Sequence, residues 1–126
     1  MPEEYTALVT ALKTLQQAED PNAEPVVTVT LPMAEDEWYT SPDAVSYGIV
    51  SLEFEADADR GDDLKASTAY EGSVDLFSLA RNGAGWVSLI CQTLNAHCGG
   101  SWSLNSHTYE RETGRFHWEW VFQVLG

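Results

Sequence analysis

Basic residues are scarce: 6 Lys and Arg stand against 20 Asp and Glu in 126 residues, a formal net charge of −14. Nucleic-acid backbones are held by Lys and Arg that displace counterions, and anionic leaflets by basic clusters. Neither partner suits so acidic a chain. Cysteine is scarce too. Cys91 and Cys98 are too few to staple a domain of this length. Seven apart on a predicted helix, they lie about two turns apart along it, out of disulfide reach. Reduced thiols in a cytosolic protein are the expectation. No stretch approaches the ~18 apolar residues of a membrane span, and no basic-then-apolar opening marks a signal peptide. The chain is expected to be soluble and made inside a cell.

The usual catalytic signatures are missing as well. There is no nucleophile elbow and no dinucleotide fingerprint, and Gly83-Ala84-Gly85 precedes a predicted helix without the lysine or the further glycine of a phosphate-cradling loop. Carboxylate pairs carry no information among 20 acids. The segment from Asp57 through Asp59 and Gly61 to Asp62 and Asp63 opens like a calcium loop. Its glycine falls one place early, however, and the twelfth position is Thr68, where a bidentate Glu is needed. A solvated acidic turn is the expectation there. His97 and Cys98 are adjacent, whereas structural zinc sites present ligand pairs two to four apart, twice over. His107 and His117 could face each other across a hairpin, as a cross-strand pair on a solvated face. No catalytic, cofactor-binding or metal-binding residue is therefore assigned.

What the chain does have is a strongly patterned last quarter. Phe116, Trp118, Trp120, Phe122 and Val124 alternate with His117, Glu119 and Gln123, the period of a strand with one buried face. Trp102, Leu104, Ser106, Thr108 and Glu110 alternate with Ser103, Asn105, His107 and Tyr109, and the intervening Arg111-Glu112-Thr113-Gly114 supplies a turn glycine. A closing hairpin follows.

The rest reads in order. Tyr5, Leu8, Val9, Leu12 and Leu15 form a helical stripe over Glu3–Ala18, with Glu3 and Glu4 at the positive end of the helix dipole and Asp20-Pro21-Asn22 as the stop. Val26–Leu31 is β-branched and bracketed by Pro25 and Pro32, which suggests an edge strand. Met33–Asp43 is an acidic loop that carries Trp38 and Tyr39. Ser46–Ala56 and Thr68–Ser78 are the two long strands. The first sets Gly48, Val50, Leu52, Phe54 and Ala56 on one face; the second sets Tyr70, Gly72, Val74 and Leu76 inward, and Phe77 breaks its polar face. A second helix runs through Trp86, Leu89, Ile90, Thr93, Leu94 and His97 and ends at Gly99-Gly100.

One domain spans residues 1–126: a helix over 1–20, a variable arm and loop over 21–45, and a core over 46–126. The fold class is α+β, a mainly antiparallel sheet of 4–5 strands with two helices packed on one face. Its order is helix, short strand, strand, strand, helix, strand, strand.

The strands Tyr47-Gly48-Ile49-Val50-Ser51-Leu52, Glu71-Gly72-Ser73-Val74-Asp75-Leu76-Phe77 and His117-Trp118-Glu119-Trp120-Val121-Phe122, with Ser101–Ser106, Tyr109-Glu110 and Thr113-Gly114, resemble the small tail-completion proteins of Gram-positive prophages. These are similar in plan to the tail terminator and neck proteins of long-tailed phages. The resemblance covers about residues 46–125. It implies a virion protein, assembled in the bacterial cytoplasm, that forms a ring, commonly hexameric, capping the tail tube and offering the head-docking surface. Its partners would be copies of itself, the major tail tube protein and the head-tail connector proteins, and it implies no enzyme activity. Alternatives are a head-side neck adaptor or stopper and an acidic binding module that mimics DNA. Candidate contacts with neighbouring subunits are Trp38, Tyr39, Asp57, Asp59, Asp62, Asp63, Glu110, Arg111, Glu112 and Arg115.

Overall fold

The computed structural model describes residues 3–35, 44–55 and 69–125. Helix α1 (Glu3–Lys13) leads into three short strands, β1 (Gln16–Ala18), β2 (Thr28–Thr30) and β3 (Met33–Glu35). The long strands β4 (Ser46–Glu55) and β5 (Ala69–Ser78) follow, then a single 3-10 turn (Gly83–Gly85) that runs into helix α2 (Trp86–Cys98). The hairpin of β6 (Trp102–Glu110) and β7 (Arg115–Leu125) closes the chain. The architecture is α+β, as the patterning requires.

The main sheet has the order β3-β4-β5-β7-β6. Every neighbouring pair is antiparallel except the first: β3 runs parallel to β4, pairing Met33 with Gly48 and Glu35 with Val50. The sheet is thus mixed but mainly antiparallel, as expected, with three of its four pairs antiparallel. Gly48 explains why β3 fits there. A Cβ at Gly48 would sit 2.8 Å from the Met33 methyl carbon, so the missing side chain is the space Met33 fills.

Two boundaries also differ from the sequence pattern. The first helix stops at Lys13, not Ala18. Thr14 bonds back three residues through its N–H to the Ala11 carbonyl, and its hydroxyl donates to the Thr10 carbonyl at 2.9 Å, the kind of local bonding that competes with helix continuation. Gln16–Ala18 then turns to pair with Thr28–Thr30, so long-range pairing overrides the helical propensity of Gln and Ala. The Val26–Leu31 segment accordingly supplies an edge strand, as expected, in a separate two-stranded ribbon, and the expected loop after it begins with β3.

Both helices cover one face of the sheet. Tyr5, Leu8, Val9 and Leu12 of α1 and Trp86, Ile90 and Leu94 of α2 share one cluster with Val50, Val74, Leu76, Trp118, Trp120, Phe122 and Val124. Trp120 and Phe122 are each 1% exposed. Truncating a buried Trp to Ala typically costs about 3–5 kcal/mol, a large share of the roughly 5–15 kcal/mol that holds a domain together. Gly72 lies directly against this layer: a Cβ there would fall 2.6 Å from Phe122 Cζ and 2.3 Å from the Ser51 carbonyl oxygen.

In the hairpin, residues 111–114 form the turn, the Gly114 N–H donates to the Glu110 carbonyl at 2.8 Å, and Gly114 has φ +70°. β6 is bulged between Leu104 and Ser106. The extra residue reverses the alternation. Leu104 pairs with Trp120 before it, and His107 pairs with Trp118 after it, so both belong to the helix-bearing face. His107 is therefore stacked on Trp118, ring centroids 4.4 Å apart, and does not face His117, whose partner is Thr108.

Candidate functional site

The densest chemistry lies on the sheet face opposite the helices. In register, Tyr47 of β4 pairs with Phe77 of β5, and Phe77 pairs with His117 of β7. Side chains directly opposite one another in antiparallel strands share a face at close range, so three rings form a ladder across three strands. Tyr47 and Phe77 stack with centroids 5.0 Å apart, and Phe77 and His117 with centroids 4.2 Å apart. Tyr47, Ile49 and Phe77 make a second, smaller apolar cluster.

Charged groups close the ladder at both ends. The Arg115 guanidinium carbon lies 5.0 Å from the Tyr47 ring centroid, within cation–π range. Its nitrogens donate to the Ala44 carbonyl at 2.8 Å and the Val45 carbonyl at 3.1 Å. His117 sits between two acids: Nε2 donates to Asp75 Oδ1 at 2.7 Å and Nδ1 to Glu110 Oε2 at 3.1 Å. Burial by itself would lower the imidazole's affinity for protons, but the hydrogen bonds and charges of Asp75 and Glu110 outweigh it and hold the pKa above the usual histidine value. The imidazolium suits this geometry because both ring nitrogens then donate. It ties β5, β6 and β7 together.

As the imidazolium, with both nitrogens donating to carboxylates, His117 has no lone pair left for a metal or for a nucleophile's proton. The thiols are quiet as well: burial raises Cys91, against a smaller opposing hydrogen bond with Trp120, and pushes Cys98 up to about 11. A thiol is a nucleophile only as its thiolate. Among the described residues, no group of three or more His, Cys, Asp or Glu could hold a metal ion, and no helix is long and apolar enough to cross a membrane. A cleft of about 430 Å³ lies between the β1–β2 ribbon and the start of α2, with Gln17, Val29, Thr30, Val45 and Trp86 in its walls. Gln17 bridges it by donating to the Ala84 carbonyl at 2.6 Å. Glu19 is the single ionisable group among the described residues that line it.

The candidate contact residues divide sharply. Trp38, Tyr39, Asp57, Asp59, Asp62 and Asp63, together with the Thr68 of the calcium-loop comparison, lie outside the described residues. Glu110 belongs to the His117 clamp, and Arg111 and Glu112 are exposed in the hairpin turn. Arg115 is 5% exposed, so its side chain is an interior brace in this chain and not an open contact. Reasoning from sequence did not assemble Tyr47, Phe77, Asp75 and His117 into a site. The available signal was Tyr47, Ile49 and Phe77, apolar residues on positions that alternation assigns to the polar face.

No family model matches the chain, and no curated protein matches it closely enough to carry an argument.

Proposed function

We propose that the chain is a structural tail-completion or terminator protein of a long-tailed phage or prophage. It self-associates into a ring that caps the tail tube and provides the surface on which the head docks. Its partners in this reading are copies of itself, the major tail tube protein and head-tail connector proteins, and its place is the tail or neck of the virion. The observation that supports the reading is the closed state of the outer-face cluster. Its ionisable groups are bonded to one another and to backbone carbonyls, which makes them braces for a rigid sheet. A subunit that works by docking needs such a scaffold with charged surface around it, and the −14 charge would repel phosphates in a DNA conduit.

Particles assembled without the protein decide the matter by negative-stain microscopy. Overlong or unjoined tails support the proposal, and normal virions sink it. Two other readings keep a specific observation. A neck adaptor or stopper on the head side shares the small α+β scaffold and would leave finished tails beside unjoined heads. An acidic binding module that mimics DNA is favoured by the charge alone. It predicts capture of a basic host protein in salt-sensitive fashion, with tails of normal length.

A further inference from the structure

Strand β6 is an edge of the main sheet. Its one strand neighbour among the described residues is β7. Ser103, Leu104, Asn105, His107, Thr108 and Tyr109 are all exposed, Leu104 by 49% and Tyr109 by 53%. Natural edges of this length are usually blunted by Lys, Pro or inward charge. Among the described residues the bulge at Asn105 is the one such device on β6, and the stretch beyond it is regular.

The charge distribution says which molecule this edge fits. In a chain that is 21% charged, none of the Asp, Glu, Lys or Arg residues falls between Asn82 and Tyr109. That run comprises all of α2 and all of β6 except Glu110. The two elements adjoin, with Trp102 Nε1 donating to Asn95 Oδ1 at 3.5 Å. The exposed residues of α2, Ser88, Gln92, Asn95 and Ala96, are uncharged as well. In a chain of net charge −14 this strip thus has no carboxylate of its own, although Glu119 of β7 reaches it by accepting from Asn105 Nδ2 at 2.8 Å. A basic partner gains nothing from such a strip and would seek the acids elsewhere. Two acidic copies need it, because apposed like charges in a desolvated contact are costly.

We propose that β6 is a self-association edge, on which a second copy of this chain adds its own β6 antiparallel and extends the sheet across a two-fold axis. The regular part of the strand selects the register. Centring on Thr108 sets His107 opposite Tyr109 on the helix-bearing face and Ser106 opposite Glu110 on the other, so no two carboxylates face each other. A two-fold contact of this kind closes on itself, and it sets the state of the free chain before any larger assembly. The proposal goes beyond the tail-completion reading and does not depend on it.

Sedimentation velocity of the full chain over a range of concentrations and salt tests it. Expected is a monomer–dimer equilibrium that tightens as salt screens the net charge, the reverse of binding between opposite charges. Thr108→Asp, verified as folded by circular dichroism, should weaken dimerisation by at least about tenfold, since it sets two like charges directly opposite across the axis. Thr10→Asp, on the exposed face of α1, should leave it unchanged. As a second measurement that does not perturb charge, Thr108→Cys should form an intermolecular disulfide under mild oxidation much faster than Thr10→Cys. A chain that stays monomeric at every salt concentration overturns the proposal. So does dimerisation indifferent to Thr108→Asp, or a Thr108→Cys crosslink no faster than its control.

Discussion

His117 Nε2 lies 2.7 Å from Asp75 Oδ1, although 42 positions separate the two residues in the chain. Antiparallel pairing of β5 with β7 sets Phe77 directly beside His117, and Asp75, two residues before Phe77, reaches the ring from the same face. This bond, with its counterpart to Glu110, makes the outer face a set of mutually satisfied charges and gives the fold a defined response to pH.

The sign of that response follows from linkage. A histidine whose pKa is higher folded than unfolded binds its proton more tightly in the native state. Its contribution is fully present below the unfolded value, roughly 6.5, and is lost as pH rises through the folded value. Urea unfolding of the wild type and His117→Gln should therefore show the larger difference at mildly acidic pH and a shrinking one as the solution becomes alkaline. A difference that grows with pH would contradict the clamp. Asp75→Asn, which removes the nearer carboxylate, should cost about 1.5–3 kcal/mol below neutrality, the range of hydrogen bonds to charged groups.

Arg115 and its neighbours in the turn should behave oppositely. Arg115→Met removes both donors to the Ala44 and Val45 carbonyls and leaves polar backbone unsatisfied, at about 1–3 kcal/mol for each group so stranded. Arg111→Ala and Glu112→Ala, on exposed turn residues, should stay within about 0.5 kcal/mol. Thermal denaturation of the three variants side by side checks the contrast. Hydrogen exchange should find the strand start at Ser46 deprotected in Arg115→Met alone.

Two glycines separate steric from backbone cost. Gly72→Ala must push a methyl into the Ser51 carbonyl and the Phe122 ring, an overpacking that costs about 1–3 kcal/mol. At Gly114 an added Cβ meets nothing nearer than Tyr109 Oη at 3.9 Å. The left-handed φ of +70° is the remaining penalty, about 1–2 kcal/mol. Near-ultraviolet circular dichroism should register Gly72→Ala through the aromatic core and leave Gly114→Ala nearly unchanged at equal stability loss.

Ala84 is the one non-glycine with positive φ among the described residues, at φ 55° and ψ 33°. Gln17 grips its carbonyl, and the Asn82 side chain accepts from its N–H at 2.9 Å. Ala84→Gly relieves the left-handed strain and keeps both bonds, at the expense of a more flexible unfolded chain. The expected balance is a gain of up to about 1 kcal/mol, read from the urea midpoint. A loss greater than about 1 kcal/mol would mean that the Ala84 methyl packs with more force than its conformation costs.

Much of the scaffold was legible because it is local. Phe116 to Val124 alternate at period two, and no other backbone buries Trp118, Trp120 and Phe122 together. The α2 stripe of Trp86, Ile90 and Leu94 and its glycine end follow from the same kind of reading. The candidate site was not legible, because its members come from four strands. Asp75 and His117 each look like ordinary outward residues on a polar face. Arg115 looked like a turn cation and proved to be a buried brace, since its surroundings are Tyr47 and the carbonyls of Ala44 and Val45, some 70 positions away.

The amino-acid order by itself determined the α+β class, the two helices, the long strands and the absence of a basic surface, because periodicity and charge act over one or two turns of chain. Only the tertiary structure decided the ends and the faces. The pull of Thr28–Thr30 ended the first helix early, and the space at Gly48 admitted a parallel strand. One extra residue at Asn105 turned His107 away from His117. Each outcome depends on which strands lie side by side, and pairing energy between distant segments outweighs the weak preference of any residue for its local conformation.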